Sequence, residues 1–157
     1  VDRKKAILVM DTGKNVAPAK IESLIMRNVL IDQVLVVGDG KKYITALICP
    51  NWDEILKLCD AKGVPYDKEK LRYELVHGLN VCVEVGPELA SSEFVNKIVG
   101  DTVEAANQEL ADFEKVKKFK IPQRKFLQRF DELTPTSKPK QRVIMKNFAA
   151  EIDALYQ

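Results

Sequence analysis

Two lysines near the C-terminal end of the chain stand where a side chain could do chemistry. Lys138 and Lys140 lie in Leu133-Thr134-Pro135-Thr136-Ser137-Lys138-Pro139-Lys140-Gln141-Arg142, a Pro/Thr/Ser-rich stretch just ahead of an apolar-periodic segment. A lysine there can extend into a cleft as a compact cation with three donors. It suits a reaction that builds charge on a phosphate and a carboxylate together, where the protein contributes positioning and charge stabilisation. By residue chemistry alone, a solvated basic loop capping a helix fits better. At the other end, Arg3 is a permanent planar cation suited to hydroxyls and phosphates. Its setting, Asp2-Arg3-Lys4-Lys5, is also what a frayed charged terminus looks like. Gly13, in Asp11-Thr12-Gly13, sits between two short apolar runs and supplies a positive φ for a turn. His77, the single histidine, stands beside Gly78 at an expected helix end, where a dipole or capping role fits better than catalysis. Lys115, Lys117, Lys118, Lys120, Arg124 and Lys125 form either a patch for an anionic ligand or a helix end followed by an exposed strand edge. Asp53, Glu54, Glu104 and Glu109 form no carboxylate pair, and no glycine-rich phosphate loop, zinc spacing or Ser/Cys–His–acid arrangement is visible.

The elements that must carry these residues follow from periodicity. Ala6 to Met10 suits a strand, Asp11 to Gly13 a turn, and Asn15-Val16 a return strand. Pro18 can open a helix, and Ile21, Leu24, Ile25 and Val29 recur at helical spacing to Leu30. Gln33 to Val37 and Tyr43 to Cys49 flank Gly38-Asp39-Gly40 as a hairpin. Asn51 caps a helix from Trp52 to Ala61, stopped by Lys62-Gly63. Asp67 caps a second from Lys68 to His77, and Val81 to Val85 is strand or loop. Ser91 or Ser92 caps a long helix whose stripe runs from Val95 through Leu110 to Phe113, with Lys115 to Lys118 at its C-terminal end. Phe119 to Ile121 and Phe126 to Phe130 read as short strands. The last helix starts near Pro139 or Lys140 and carries Val143, Ile144, Phe148, Ile152 and Leu155. The expected class is α+β: a small antiparallel or mixed sheet with a hairpin, flanked by about five helices.

Composition sets the outer limits. The chain has 157 residues, 46% apolar and 31% charged, which suits one soluble domain over residues 1–157. A net charge of +2 does not call for nucleic acid. Cys49, Cys59 and Cys82 have no metal-ligand spacing; they are expected to be reduced, mostly buried thiols of a cytoplasmic protein. No metal site is expected. No run is long and apolar enough to span a bilayer. The chain opens at Val1 directly on a charged motif and a strand, as an excised fragment or a processed terminus would.

The two end motifs, taken in order and separation, resemble the C-terminal domain of AMP-forming acyl-CoA synthetases, in particular the long-chain fatty-acid branch. The resemblance covers residues 2–22, the hairpin at 33–54, and 110–156; the stretch 63–98 does not map. It implies a mobile lid domain of a larger enzyme whose large N-terminal adenylation domain is missing. That enzyme would convert ATP, fatty acid and CoA to acyl-CoA, AMP and pyrophosphate, with magnesium held mainly by the missing domain. Thr136-Ser137-Lys138-Pro139-Lys140-Gln141-Arg142 is close to the long-chain pattern Thr-x-Lys-x-Lys-Arg. The spacing favours Lys140 as the catalytic lysine, with Lys138 the alternative. The wider superfamily has Gly before that lysine, where this chain has Pro139. The resemblance further implies Arg3 near the nucleotide ribose, Lys5 as the hinge of domain rotation, and Gly13 lining the CoA tunnel. The basic segment would attract CoA's phosphates. Asp11, Thr12 and Ala6 depart from the usual Ser, Gly and Asp. Partners implied are the missing domain, fatty acid, ATP and CoA, without nucleic acid; a peripheral membrane contact through the full-length enzyme is a further candidate. An isolated fragment would be inactive. The contrasting reading is a stand-alone basic module for an anionic partner such as nucleic acid. A Ser/Thr/Gly-rich loop ending in Pro-Lys, encoded several hundred residues upstream, would discriminate for the ligase.

Overall fold

The computed structural model describes residues 7–157; Arg3 and Lys5 lie outside them. Strands β1 (Leu8–Val9) and β2 (Asn15–Val16) pair antiparallel as the sequence suggests, though β1 is shorter than expected. Helix α1 (Pro18–Ile25) starts on Pro18 and buries Ile21 and Ile25. It ends five residues before the expected Leu30. Asn28 is the cause: its Oδ1 accepts from the Leu30 amide at 2.9 Å, and its Nδ2 donates to Thr102 Oγ1 at 2.8 Å. A side chain that offers the backbone this alternative competes with the helix, and Val29 is left 78% exposed.

Strands β3 (Ile31–Val37) and β4 (Ile44–Pro50) form the expected antiparallel hairpin. Helix α2 (Trp52–Lys62) follows, with Asn51 Oδ1 accepting from the Glu54 amide at 3.3 Å and Gly63 closing it in the left-handed region. The next segment overturns an expectation. Asp67 caps only a single 3-10 turn, Lys68–Lys70. Strands β5 (Arg72–Val76) and β6 (Leu79–Glu84) then form a second antiparallel hairpin instead of a helix to His77. The joint is the two-residue turn His77-Gly78, with φ of 50° and 83°. Two consecutive positive φ values match the twist of the flanking strands, as Asn-Gly does in such turns, and His enters this region more readily than most residues. His77 is thus at a hairpin tip, not a helix end.

Helix α3 (Pro87–Ala90) is one turn, and α4 (Glu93–Asn107) is capped by Ser92, whose Oγ accepts from the Val95 amide at 3.3 Å. The stripe does not continue as helix to Phe113. Asn107 stops it by turning its amide to the Val116 backbone, with contacts of 2.9 and 3.1 Å. Lys115 to Lys118 therefore do not sit on the C-terminus of α4; Lys115 closes a 3-10 turn, Asp112–Glu114, and β7 (Val116–Lys120) begins there and runs parallel to β4. Phe126 to Phe130 is not a strand either. Phe126 is held by Gln33, whose amide both accepts from its N–H (2.8 Å) and donates to its C=O (3.1 Å). A 3-10 turn, Gln128–Phe130, follows. The final helix is two: α5 (Gln141–Asn147) and α6 (Ala149–Ala154), broken at Phe148.

The sheet order β3-β4-β7 makes β4 central, and all seven of its residues are buried. Alternation along β3 and β4 sends Val34, Val36, Ala46 and Ile48 to one face, where they join core residues of α1, α2 and α4. Leu35, Val37, Leu47 and Cys49 go to the other, against Phe126, Ile144, Phe148 and Ile152. Each fully buried large apolar side chain contributes about 1.5–3 kcal/mol. The fold is α+β with a small mixed sheet and a hairpin, and with six α-helices among the described residues.

Candidate active site

The loop that carries both lysines is a closed turn. Leu133 and Pro139 form an antiparallel bridge, and the Thr134 amide donates to the Lys138 carbonyl at 2.8 Å. Ser137 takes a φ of 68° at the turn, its amide donating to the Thr134 carbonyl at 2.7 Å. Thr134 Oγ1 accepts from the Lys138 amide at 3.0 Å. Lys138 is exposed at the tip, and no partner of its ammonium appears among the described contacts. Lys140 stands where the loop returns to become the N-cap of α5. Its side chain is 38% exposed and its Nζ donates to Asp131 Oδ1 at 2.6 Å. The two lysines are therefore not equivalent: one is free at a tip, the other is half-buried at a fixed root.

That root is fixed by a buried charge. Glu132 is fully buried, and its carbonyl accepts from the Lys140 amide at 2.7 Å. Its carboxylate takes both nitrogens of the Arg124 fork at 2.8 and 2.9 Å, the Leu127 amide at 2.8 Å and Asn147 Nδ2 at 2.9 Å. Burial alone would push its pKa up. Arg124, Asn147 and the Leu127 amide outweigh that and hold it below the usual carboxylate value. Arg124 in turn lies between the Phe130 and Phe148 rings, 4.3 and 4.7 Å from their centres. Planar guanidinium suits both the bidentate pair and the aromatic faces. Sequence reading missed Glu132 and Arg124 as a unit. Nothing local marks Asp131-Glu132 as one exposed and one buried acid, since the burial comes from α5 and the Phe126 segment.

Gly13 rests on a different support from the lysine loop. Its φ is 88°, and a Cβ built there would meet no atom within 4 Å. Within this domain the glycine is needed for its backbone conformation, not for close packing. The surrounding turn is tied to the β3–β4 connection: the Asp11 amide donates to the Lys41 carbonyl at 3.0 Å and the Gly40 amide to the Val9 carbonyl at 2.8 Å. Among the described residues no hydrogen bond or ion pair joins the Gly13 turn to the lysine loop.

The basic segment divides by role. Arg124 is bound to Glu132, Lys125 pairs with Asp32, and Lys115 pairs with Asp112 at 3.3 Å. Lys118 lies over the Tyr43 ring and donates to the Gln157 carbonyl at 3.2 Å. Lys117 and Lys120 remain exposed on or beside the β7 edge, as edge protection predicts for lysines there. The three cysteines are free and buried; burial pushes the Cys82 thiol up to about 11 and raises Cys49 further. Among the described residues no group of three or more His, Cys, Asp or Glu is placed to hold a metal. Nor, among the described residues, is any helix long and apolar enough to cross a membrane.

Residues 5–63 match the family model described as the AMP-binding enzyme C-terminal domain. The chain is 34% identical over 154 residues to the long-chain-fatty-acid–CoA ligase FadD15 of Mycobacterium tuberculosis, covering 98% of this chain and 23% of that protein. It is 27% identical over 164 residues to the long-chain-fatty-acid–CoA ligase ACSBG2 of Mus musculus, again covering 98% of this chain and 23% of the relative. The chain thus spans under a quarter of the length of these relatives. Among solved structures, the A domain of the carboxylic acid reductase from Segniliparus rugosus, in complex with AMP and a co-purified carboxylic acid, shares the fold with a TM-score of 0.67 at 21% identity. It is matched over 99% of this chain and 20% of that one. A Mycobacterium tuberculosis fatty acyl CoA synthetase matches with a TM-score of 0.52 at 19% identity, over 96% and 21% of the two chains. These relatives give no support to a stand-alone nucleic-acid module.

Proposed function

We propose that the chain, whose residues 5–63 match the AMP-binding enzyme C-terminal domain, is the mobile domain of an AMP-forming long-chain fatty-acid–CoA ligase. In the first half-reaction a fatty-acid carboxylate oxygen attacks the α-phosphorus of ATP, the bond to pyrophosphate breaks, and acyl-adenylate forms. Lys140 supplies positive charge to the carboxylate and phosphate as negative charge redistributes between them. In the second, the CoA thiol attacks the acyl carbon, AMP leaves, and the proton of the thiol passes to solvent or a base on the larger domain. The Gly13 turn serves this step by lining the path of the pantetheine arm. Arg3 and Lys5 keep the roles of ribose contact and hinge in this reading. Magnesium belongs to the larger part of the enzyme. The protein acts in the cytoplasm.

The observation that supports this most is the contrast between the lysines. Lys140 is rooted by the Glu132 carbonyl at the start of α5, whereas Lys138 rides on the loop tip. Preorganised charge needs no reorganisation at the moment of reaction, so the rooted lysine is the better electrostatic catalyst. The different backbone supports of Lys140 and the Gly13 turn, Glu132 for one and Lys41 for the other, fit a domain that presents two surfaces in succession, one per half-reaction. The test is AMP formation from ATP and palmitate. The full-length protein should form AMP in a fatty-acid-dependent manner, and the 157-residue chain alone should not. Turnover by the isolated chain above background would refute the assignment of the acyl and adenine sites to another domain.

A further inference from the structure

The β5–β6 hairpin, which lies beyond the residues matched by the family model, touches the lysine loop's supports at three levels. At its base, the Lys125 amide donates to the Val83 carbonyl at 2.8 Å and the Val85 amide to the Gln123 carbonyl at 2.9 Å, with Glu84 bridged to Arg124. Arg124 is the residue that holds Glu132. Midway, Glu74 on β5 pairs with Arg129 in the 3-10 turn just before Asp131. At the tip, His77 Nε2 lies 2.9 Å from Ser137 Oγ, inside the lysine loop itself. Both tip residues have positive φ, 50° and 68°. Two tight turns are therefore set tip to tip.

We propose that His77 is a positioning residue for Lys140, and that the β5–β6 hairpin is a brace holding the lysine loop in its adenylating geometry. An isolated two-stranded hairpin is marginal in water. This one is anchored at its base to α2, where Asp53 Oδ2 accepts from the Cys82 amide at 3.1 Å, and its outer part is ordered by contacts with the supports of one short loop, to which it returns that order. The tip contact is exposed, so its effect on global stability is small. Its effect on placement is larger, because a displacement of about 1 Å at a reacting group can cost up to two orders of magnitude in rate. The inference rests on the reading of Lys140 as the adenylation lysine.

The test uses the full-length enzyme and single-turnover assays of each half-reaction. His77→Asn keeps a residue that accepts positive φ but shortens the reach to Ser137. Ser137→Gly keeps the turn and removes the hydroxyl. Each should slow acyl-adenylate formation about tenfold at saturating substrates, with KM for ATP and fatty acid unchanged. The double variant should be no slower than either single variant. Thioester formation from supplied acyl-adenylate should be unchanged, which also reports correct folding. On a Lys140→Ala background, His77→Asn should have no further effect. If Lys140→Ala impairs adenylation and His77→Asn does not, the brace is refuted while the lysine assignment stands. If both half-reactions fall equally in His77→Asn, the hairpin is merely structural and the proposal fails. If Lys140→Ala itself leaves adenylation intact, the underlying reading fails first, and that outcome is distinct from the other two.

Discussion

Glu132 shows how one buried acid can set the position of a half-buried lysine. Removing it would strand Arg124 between two aromatic rings without its carboxylate. Breaking a buried pair this way costs about 3–5 kcal/mol, so Glu132→Ala should lower the denaturant midpoint by that equivalent. The sign of the pH effect follows from the lowered pKa of Glu132. The stabilisation is complete above the ordinary value of 4.5 and is lost as pH falls through the depressed folded value. Glu22 has the opposite sense. Burial raises it to about 7, although the Val36 amide on the outer edge of β3 donates to its Oε2 at 3.1 Å and partly offsets the shift. A folded pKa above 4.5 means the folded chain binds the proton more tightly. Stability from this group should therefore fall as pH rises from 4.5 to about 7. Glu22→Gln keeps an acceptor for Val36 and removes the charge. It should be more stable than the parent at pH 8 by about 1–3 kcal/mol and show no slope across that window. A parent-like slope in urea titrations of Glu22→Gln would assign the pH dependence elsewhere.

At the scale of elements, the legible parts were those whose signals are local. The Gly38-Asp39-Gly40 hairpin, the Asn51 and Ser92 caps, Gly63 and the Pro18 start all appear where residue chemistry puts them. The misread parts were decided by distant side chains. Asn28 and Asn107 end their helices by bonding Thr102 and Val116. The β5–β6 hairpin is hard to see in the sequence because its turn is His-Gly instead of Asn-Gly, and because its alternating apolar residues Tyr73, Leu75 and Leu79 lie exposed and mark no core face. Gln33 is the most consequential of these side chains. It pairs the Phe126 backbone as a neighbouring strand would, and Phe126 is fully buried. Gln33→Leu would leave that N–H and C=O unpaired in the core, at a cost of about 1–3 kcal/mol. Equilibrium unfolding should register the loss. A neutral result would mean that the 124–127 segment finds other partners.

For the whole molecule, the sequence marks the lysine loop and the Gly13 turn only through the resemblance of its two ends, and residue type alone gives each a bland reading. The structure adds that they sit on different supports: the lysine loop on Glu132 and Arg124, the Gly13 turn on the β3–β4 connection. Under the proposed function, a domain that carries both would use them in successive half-reactions by turning between them. The central claim is therefore that Lys140 belongs to one half-reaction alone. Its most direct test is a single-turnover comparison of Lys140→Ala with the parent full-length enzyme, run beside Lys138→Ala. The account predicts a fall of about 10²–10³-fold in acyl-adenylate formation for Lys140→Ala, near-parental thioester formation from supplied acyl-adenylate, and little effect of Lys138→Ala on either. An equal loss in both half-reactions, or a defect that follows Lys138 instead of Lys140, would contradict it.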